Sequence, residues 1–537
     1  MTETIQKRIN DSKAMRWTAL ILIALMMFFG YMFVDVMSPL QSLVEQERGW
    51  SPSVFGTYAA SEYLLNVFGF LIIAGVILDK CGIRFTGELS ASMMFIGAAI
   101  KFYAVSDWFP GTGLATWLDS WWITMPASAK LASFGFMIFG CGCEMAGTTV
   151  SKAIAKWFKG KEMALAMGLE MAIARVGVFA IFSISPILAE KMGSIAAPVG
   201  FCTALVFIGL ITYTVFTFMD RKLDAQLGAD GSNETSDEEF KVADLKNILT
   251  SQIFWVVALL CVLYYSAIFP FQKYAVNMLQ CNLTFVQPEA DSFWASDTVT
   301  MLQYGIMLVV AATAFASNFS KKSGMRIVLQ IVSVVFLIVF CYMGYMRQSA
   351  ETIFAVFPLL AVGITPILGK FIDTKGKAAS MLMIGSLLLI ACHLTFAFVL
   401  PMFKGNGVGG VFVAYITILV LGASFSLVPA SLWPSVPKLV DSKVIGSAYA
   451  LIFWIQNIGL WLFPLLIGKI LDASNPEIVR AVDEGTMTPA EAAVQYDYTN
   501  PLIMLACLGV AALILGFILK IVDKKQGLGL ELPNIQK

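Results

Sequence analysis

Gly75-Val-Ile-Leu-Asp79-Lys-Cys-Gly82-Ile-Arg84 and Gly369-Lys-Phe-Ile-Asp373-Thr-Lys-Gly376-Lys377 repeat one pattern. The Gly, Asp and Gly positions keep the same intervals, and each stretch follows an apolar run long enough to cross a bilayer. Such a repeat implies that a larger unit has been duplicated. The two motifs lie 294 positions apart. The first apolar runs of the two halves begin only about 234 apart, so about 60 residues have been added between the motifs, enough for two helices.

The composition puts this repeat in a membrane. Of 537 residues, 58% are hydrophobic and 13% charged, against roughly 25% charged in a soluble domain. Mean hydropathy is +0.78. With 41 Phe and 27 Met, the outer surface must be apolar, and its natural solvent is lipid. Soluble enzymes are thereby excluded. Lys plus Arg equals Asp plus Glu at 36 each, so a nucleic-acid partner lacks an electrostatic footprint. One His and nine scattered Cys, among them Cys81, Cys141, Cys143, Cys202, Cys261 and Cys392, give neither a zinc nor a disulfide framework. No cofactor is expected.

Apolar runs near the ~20 residues that span a bilayer occur at approximately 17–40, 53–78, 85–105, 128–155, 163–189, 197–219, 251–276, 301–318, 327–346, 352–372, 378–402, 411–436, 444–471 and 500–521. The expectation is an all-α membrane protein of about fourteen transmembrane helices: two six-helix bundles plus two inserted helices. Residues 1–219 form the N-terminal bundle, 220–250 a Gly/Ser/Asp/Glu-rich linker, and 251–537 the C-terminal bundle with the inserted pair at about 281–348. Basic residues such as Lys80/Arg84, Lys156/Lys159/Lys161, Lys321/Lys322/Arg326, Lys370/Lys375/Lys377 and Lys520/Lys524/Lys525 fall in every second connection. That bias places both termini in the cytoplasm.

The Gly-x-x-x-Asp-x-x-Gly-x-Arg run resembles the signature of the major facilitator superfamily, and the resemblance implies a transporter that works by alternating access. Gly75, Asp79, Gly82, Arg84, Gly369, Asp373 and Gly376 then read as gating residues. The glycines would let helix ends approach, Asp79 would face the N-terminus of a helix starting near Val444 in the other half, and Arg84 would tie the loop to a carboxylate. The bland reading is that Asp79 and Asp373 cap turns. Further motifs are similar to the lysosomal dipeptide transporter group of that superfamily: Trp157-Phe-Lys-Gly-Lys-Glu162, Ala174-Arg175-Val-Gly177, Tyr264-Tyr265 with Phe269-Pro-Phe271, Ser431-Leu-Trp433-Pro434, Gly446-Ser-Ala-Tyr449 and Ile455-Gln-Asn-Ile-Gly459. Tyr31 to Asp35 with Pro39, and Cys392-His393 with Ala397-Phe398, extend the likeness. The inserted pair and the lack of an acidic dileucine signal in the N-terminal tail depart from that group. They lead to the expectation of a bacterial relative in the cytoplasmic (inner) membrane, in which no accessory subunit is required.

Charged residues inside spans are costly and mark pathways or partners. Glu144 and Arg175 lie on consecutive antiparallel helices, each roughly 20 Å from the intervening Trp157–Glu162 turn, near mid-membrane. One reading is a structural salt bridge. The other has Arg175 receiving a carboxylate and Glu144 an ammonium, the role that the resembling group implies for its matching Glu and Arg. Tyr264, Tyr265, Trp433, Gln456 and Asn457 are candidates for the second half of the binding cavity, and Asp35, Glu62 and Glu170 for proton carriers. His393 reads as an interhelical hydrogen bond, and Gly407-Val-Gly-Gly410 as a loop turn.

The expected function is secondary transport of dipeptides or similar small zwitterions. The alternatives are an organic-anion exchanger selecting with Arg175 alone, and a non-transporting sensor or scaffold that uses the inserted helices to bind a partner. Two symmetric gates argue against the scaffold.

Overall fold

The computed structural model describes residues 8–121, 123–158, 163–286, 288–289, 291–320, 322–405, 407–438 and 445–533, apart from 228–247. Among these residues every regular element is helical. The helices that set the fold are α1 (Lys13–Asp35), α2 (Pro52–Ser61), the single turn α3 (Leu64–Val67), α4 (Phe70–Val105), α5 (Ala127–Trp157), α6 (Met163–Met192), α7 (Ala196–Leu227) and α8 (Gln252–Asn282). They continue with α9 (Asp297–Phe319), α10 (Ser323–Met346), α11 (Ala350–Lys375), α12 (Ala378–Leu394), α13 (Gly407–Leu432), α14 (Ile445–Ser474) and α15 (Thr499–Gln526).

Among the described residues, eleven helices are long and apolar enough by themselves to cross a membrane, fewer than the expected fourteen. The difference has two local sources. The runs at 53–78 and 85–105 form one helical stretch that breaks around Glu62 and at Gly69, then turns within α4 at Gly82. The run at 352–372 lies in the continuous helix α11, of which Ala350–Ala361 is the apolar part among residues whose side chains are described. The N-terminal bundle also reaches further than expected, because α7 continues to Leu227. The rest of the expected linker, 228–247, lies outside the described residues.

Packing divides the helices into two groups. In the first, α1 rests on α6 and α7, while α4 rests on α5 and α7. In the second, α8 packs on α14 and α15, α11 on α13, and α12 on α13 and α15. The groups meet along α2–α14 and α6–α11. Helices α9 and α10 pack chiefly on each other, and α10 leaves Ile327, Ile331, Val334 and Ile338 exposed as a lipid-facing stripe. We call the end carrying residues 36–51 and 475–498 the loop end, and the end carrying Gly82 and Gly376 the linker end.

The linker end explains the repeated motif differently from the sequence. A Cβ at Gly75, Gly82 or Gly369 would meet nothing within 4 Å, so no close helix approach requires these glycines. Gly82 instead has φ 74° and Gly376 φ 76°, left-handed values that favour glycine and that turn each chain into its next span. Only Gly376 also lies in close contact, against the backbone of residues 531–533. There Lys377 and Ala378 donate their amides to the Glu531 and Leu530 carbonyls at 3.1 and 3.2 Å. The Glu531 carboxylate accepts from the Ser380 amide and hydroxyl at 2.8 and 2.9 Å, capping the start of α12.

At the loop end glycine serves close packing. A Cβ on Gly56 of α2 would strike the Pro464 carbonyl of α14, and one on Gly468 the Pro52 carbonyl. The Tyr274 hydroxyl donates in the same gap, 3.1 Å from the Pro52 oxygen and 3.2 Å from that of Pro464. Because backbone cannot yield as a side chain can, Gly56→Val should destabilise this closed seam by about 1–3 kcal/mol. Spin-label distances across the loop end should lengthen, whereas a variant at Gly75 should leave them unchanged.

Candidate functional site

The two bundles are joined by a buried ionic cluster. Asp35 ends α1, Glu62 sits at the break after α2, and Lys273 comes from α8 of the other half. The Lys273 ammonium is 3.1 Å from Asp35 Oδ1 and 3.5 Å from Glu62 Oε2, and it donates to the Val34 carbonyl at 3.0 Å. Gln272 Nε2 donates to Asp35 Oδ2 at 2.6 Å and the Ser38 hydroxyl to Oδ1 at 2.9 Å. Asp35 and Glu62 are candidate proton carriers by sequence. The structure places both in a cross-half ion network, a burial that is tolerable because each carboxylate has a cation beside it.

More contacts close the loop end around this cluster. Asn277 Nδ2 donates to the Ser42 hydroxyl at 2.8 Å, the Ser53 amide to Asp472 at 3.3 Å, and the Tyr496 hydroxyl to Glu45. Nearer mid-span, Trp454 Nε1 donates to the Val67 carbonyl at 2.9 Å. Sequence reasoning missed Lys273 and Lys101, although both sit inside apolar runs. The rule that singled out Glu144 and Arg175 would have found them had it been applied to every span.

Glu144 and Arg175 do not form a salt bridge, the structural one of the two readings: no ion pair within 4.0 Å joins them. Both are half-buried. The Arg175 guanidinium lies 5.4 Å from the Phe269 ring centroid and 5.1 Å from that of Phe425, two aromatics of the opposite half. These faces hold a cation while leaving its five N–H donors free. Tyr31 lies within Coulombic reach of Arg175, Glu144 and Glu170, so α1 contributes to the same region. Glu170, a third expected proton carrier, is buried within reach of Arg175.

The aromatic candidates separate. Tyr265 stacks on Phe269 at 5.5 Å and accepts a hydrogen bond from Trp433 Nε1 at 3.0 Å, and thereby belongs to the wall behind Arg175. Tyr264 does not. It is fully buried and donates to the Ser424 carbonyl of α13 at 2.8 Å, inside its own bundle. Gln456 accepts from the Cys261 thiol, and Asn457 Nδ2 donates to its own helix at Phe453. Both amides are buried and serve packing of the second bundle, although Asn457 Oδ1 lacks a partner. His393 bonds to the Ala267 carbonyl at 3.0 Å.

Of the gating set, Arg84 pairs with Asp224 at 2.8 Å and Asp220 at 3.8 Å on α7, as a loop tie should. Asp79 pairs with Lys152 of its own bundle at 2.6 Å. Val444, residues 159–162 and the Asp373 side chain lie outside the described residues.

Two bundles meet along α2–α14 and α6–α11, with charges buried at their seam. The profile of the Major Facilitator Superfamily matches residues 20–349. The chain belongs to the major facilitator superfamily. Members similar to it include the lysosomal dipeptide transporter MFSD1 of Homo sapiens, 22% identical over 86% of this chain and 81% of that protein. The same transporter of Danio rerio is 24% identical over 85% and 81%. Among solved structures, tetrameric PepTSo2 superposes with a TM-score of 0.59 at 11% identity, covering 95% of this chain and 99% of that one. A bacterial homolog of the human lysosomal transporter Spinster, inward-facing and unoccupied, gives 0.59 at 13% identity, covering 96% and 98%. The superfamily member described here is therefore a multi-pass transporter and not an enzyme.

Removing Lys273 would leave two buried carboxylates without their shared cation. Lys273→Met should cost roughly 3–5 kcal/mol, read as a lowered thermal midpoint, and Lys273→Met combined with Asp35→Asn should recover part of it. Asp79→Asn, at the linker end, should slow transport more than it weakens substrate binding, because it acts on bundle movement far from the centre. Normal turnover with lost affinity would contradict that assignment.

Proposed function

We propose that this transporter carries dipeptides or similarly small zwitterions by alternating access, with Arg175 taking the carboxylate and Glu144 the ammonium. One observation carries the reading. Arg175 and Glu144 are half-buried at the centre of their spans, and among the described residues neither side chain has a hydrogen bond or an ion-pair partner within 4.0 Å. Opposite charges that do not satisfy each other in a low-dielectric site are available to a ligand carrying both signs. The Tyr265–Phe269–Phe425 wall would contact peptide side chains with little selectivity, since aromatic faces accept varied groups. The MFSD1 relatives, which are lysosomal dipeptide transporters, support the same substrate class.

The topology that goes with this reading has fourteen passes, with 1–219 and 251–537 as the two halves and α9–α10 as the inserted pair. Both termini face the cytoplasm of an inner membrane, and no accessory subunit is needed. Labelling of single cysteines tests it: a probe at Ser320 should react from the cytoplasmic side and one at Asp291 from the opposite side.

Capping either end of a dipeptide should strand one buried charge and lower affinity by about a hundredfold or more. Arg175→Lys should also be damaging, because a point charge does not reproduce the guanidinium fork. Uptake of free, N-acetylated and C-amidated dipeptides into vesicles checks both. Equal uptake of capped and free peptides would sink the zwitterion clamp. If Glu144→Gln spares simple anions while abolishing dipeptide uptake, the two charges act separately; if it changes neither, anion exchange is the better reading.

A further inference from the structure

Lys101 has no role in the site described so far. It lies on α4, is fully buried, and its ammonium has no hydrogen-bond partner. Three aromatic rings of its own bundle surround it: Phe136 at 4.2 Å, Phe33 at 4.3 Å and Tyr58 at 5.1 Å from the nitrogen to each centroid. A bare lysine in the dry interior is costly, and ring faces offset part of that cost without consuming its donors. It is also not isolated from the ionic cluster. The Lys273 nitrogen lies 5.7 Å from the centroid of the same Phe136 ring. Asp35, Glu62 and Lys273 all lie within Coulombic reach of Lys101.

The ownership of these groups gives the arrangement its meaning. Asp35, Glu62 and Lys101 belong to the first bundle and Lys273 to the second. While the loop end is closed, the two carboxylates have Lys273 in contact and Lys101 close by in its aromatic cage. Alternating access requires the loop end to open, and opening takes Lys273 away with its bundle. Both carboxylates would then remain on the first bundle without the cation that now touches them.

We propose that Lys101 is a resident counter-ion, which leaves its aromatic cage to pair with Asp35 and Glu62 when the seam parts and Lys273 departs. The hand-off lowers the free-energy cost of the open state, because the first bundle then carries one uncompensated negative charge instead of two. Lys101 acts as a positioning residue for the conformational cycle and touches no substrate. Phe136, shared by both ammonium groups, marks the track along which one replaces the other. The proposal rests on bundle movement alone and stands whether or not dipeptides are the substrate.

The test uses the full chain in lipid nanodiscs without substrate, in a background with the exposed Cys81 and Cys507 replaced. Spin labels at Ser120 and Glu484, on exposed loop-end segments of the two halves, report the open and closed populations. Lys101→Met should shift the equilibrium toward the closed loop end by on the order of tenfold, since opening would now strand two carboxylates. Adding Glu62→Gln restores the wild-type charge difference between closed and open, so the double variant should return to near the wild-type ratio. A purely structural role for Lys101 in packing α4 would not be rescued by that second change. If Lys101→Met does not fold, Lys101→Gln, whose amide keeps a donor in the cage, takes its place. Wild-type opening in the single variant, or no recovery in the double variant, would overturn the proposal.

Discussion

A lysine from one bundle is held between two carboxylates of the other, and the rest of the loop end is built so that this can happen away from water. The pairing is worth its desolvation cost only if the geometry is tight and the remaining lone pairs are satisfied. Gln272 and Ser38 meet that second condition for Asp35. The first is met by the seam, where Gly56 and Gly468 let two helix backbones come close enough for Tyr274 to bridge them. Between described residues, the hydrogen bonds that cross the seam run from Trp454–Val67 at mid-span to the loop end. Among the described residues the body is thus clasped at the loop end, and at the other end Asp79–Lys152 and Arg84–Asp224 pair within one bundle.

The fold was legible in the sequence because a membrane restricts the options. Apolar length marks spans, and a motif repeated at matched intervals marks duplication, whatever the side chains do later. What the sequence could not resolve was which face of each helix a charge would take. Glu144 and Arg175 occupy equivalent depths, yet the rotation of α6 presents Arg175 to Phe269 and Phe425 of the other bundle. Depth follows from counting residues, whereas azimuth depends on packing. Tyr264 and Tyr265 illustrate the same limit at adjacent positions, one bonded into its own bundle at Ser424 and the other joined to the wall behind Arg175. The Lys273 position failed for another reason: its sign was visible inside an apolar run, but its partners come from helices more than two hundred residues earlier in the chain.

The repeated motif preserves a backbone shape and not a set of contacts. Gly82 and Gly376 share a left-handed φ within two degrees, yet their surroundings differ. In the first half Arg84 reaches Asp220 and Asp224 on α7. In the second, the corresponding turn receives the polypeptide that follows α15, and Glu531 caps α12 there. The same turn occurs twice, and each copy has its own fastening.

That second fastening bears on the order of assembly. Residues 528–533 trail the last span, yet they fill the notch beside Gly376, with Leu530 buried and Lys438 donating to the Gly529 carbonyl at 2.9 Å. During synthesis α11 and α12 enter the bilayer long before these residues leave the ribosome. The turn between them must therefore wait with bare backbone amides, and the second bundle becomes fully set only after every span has been inserted.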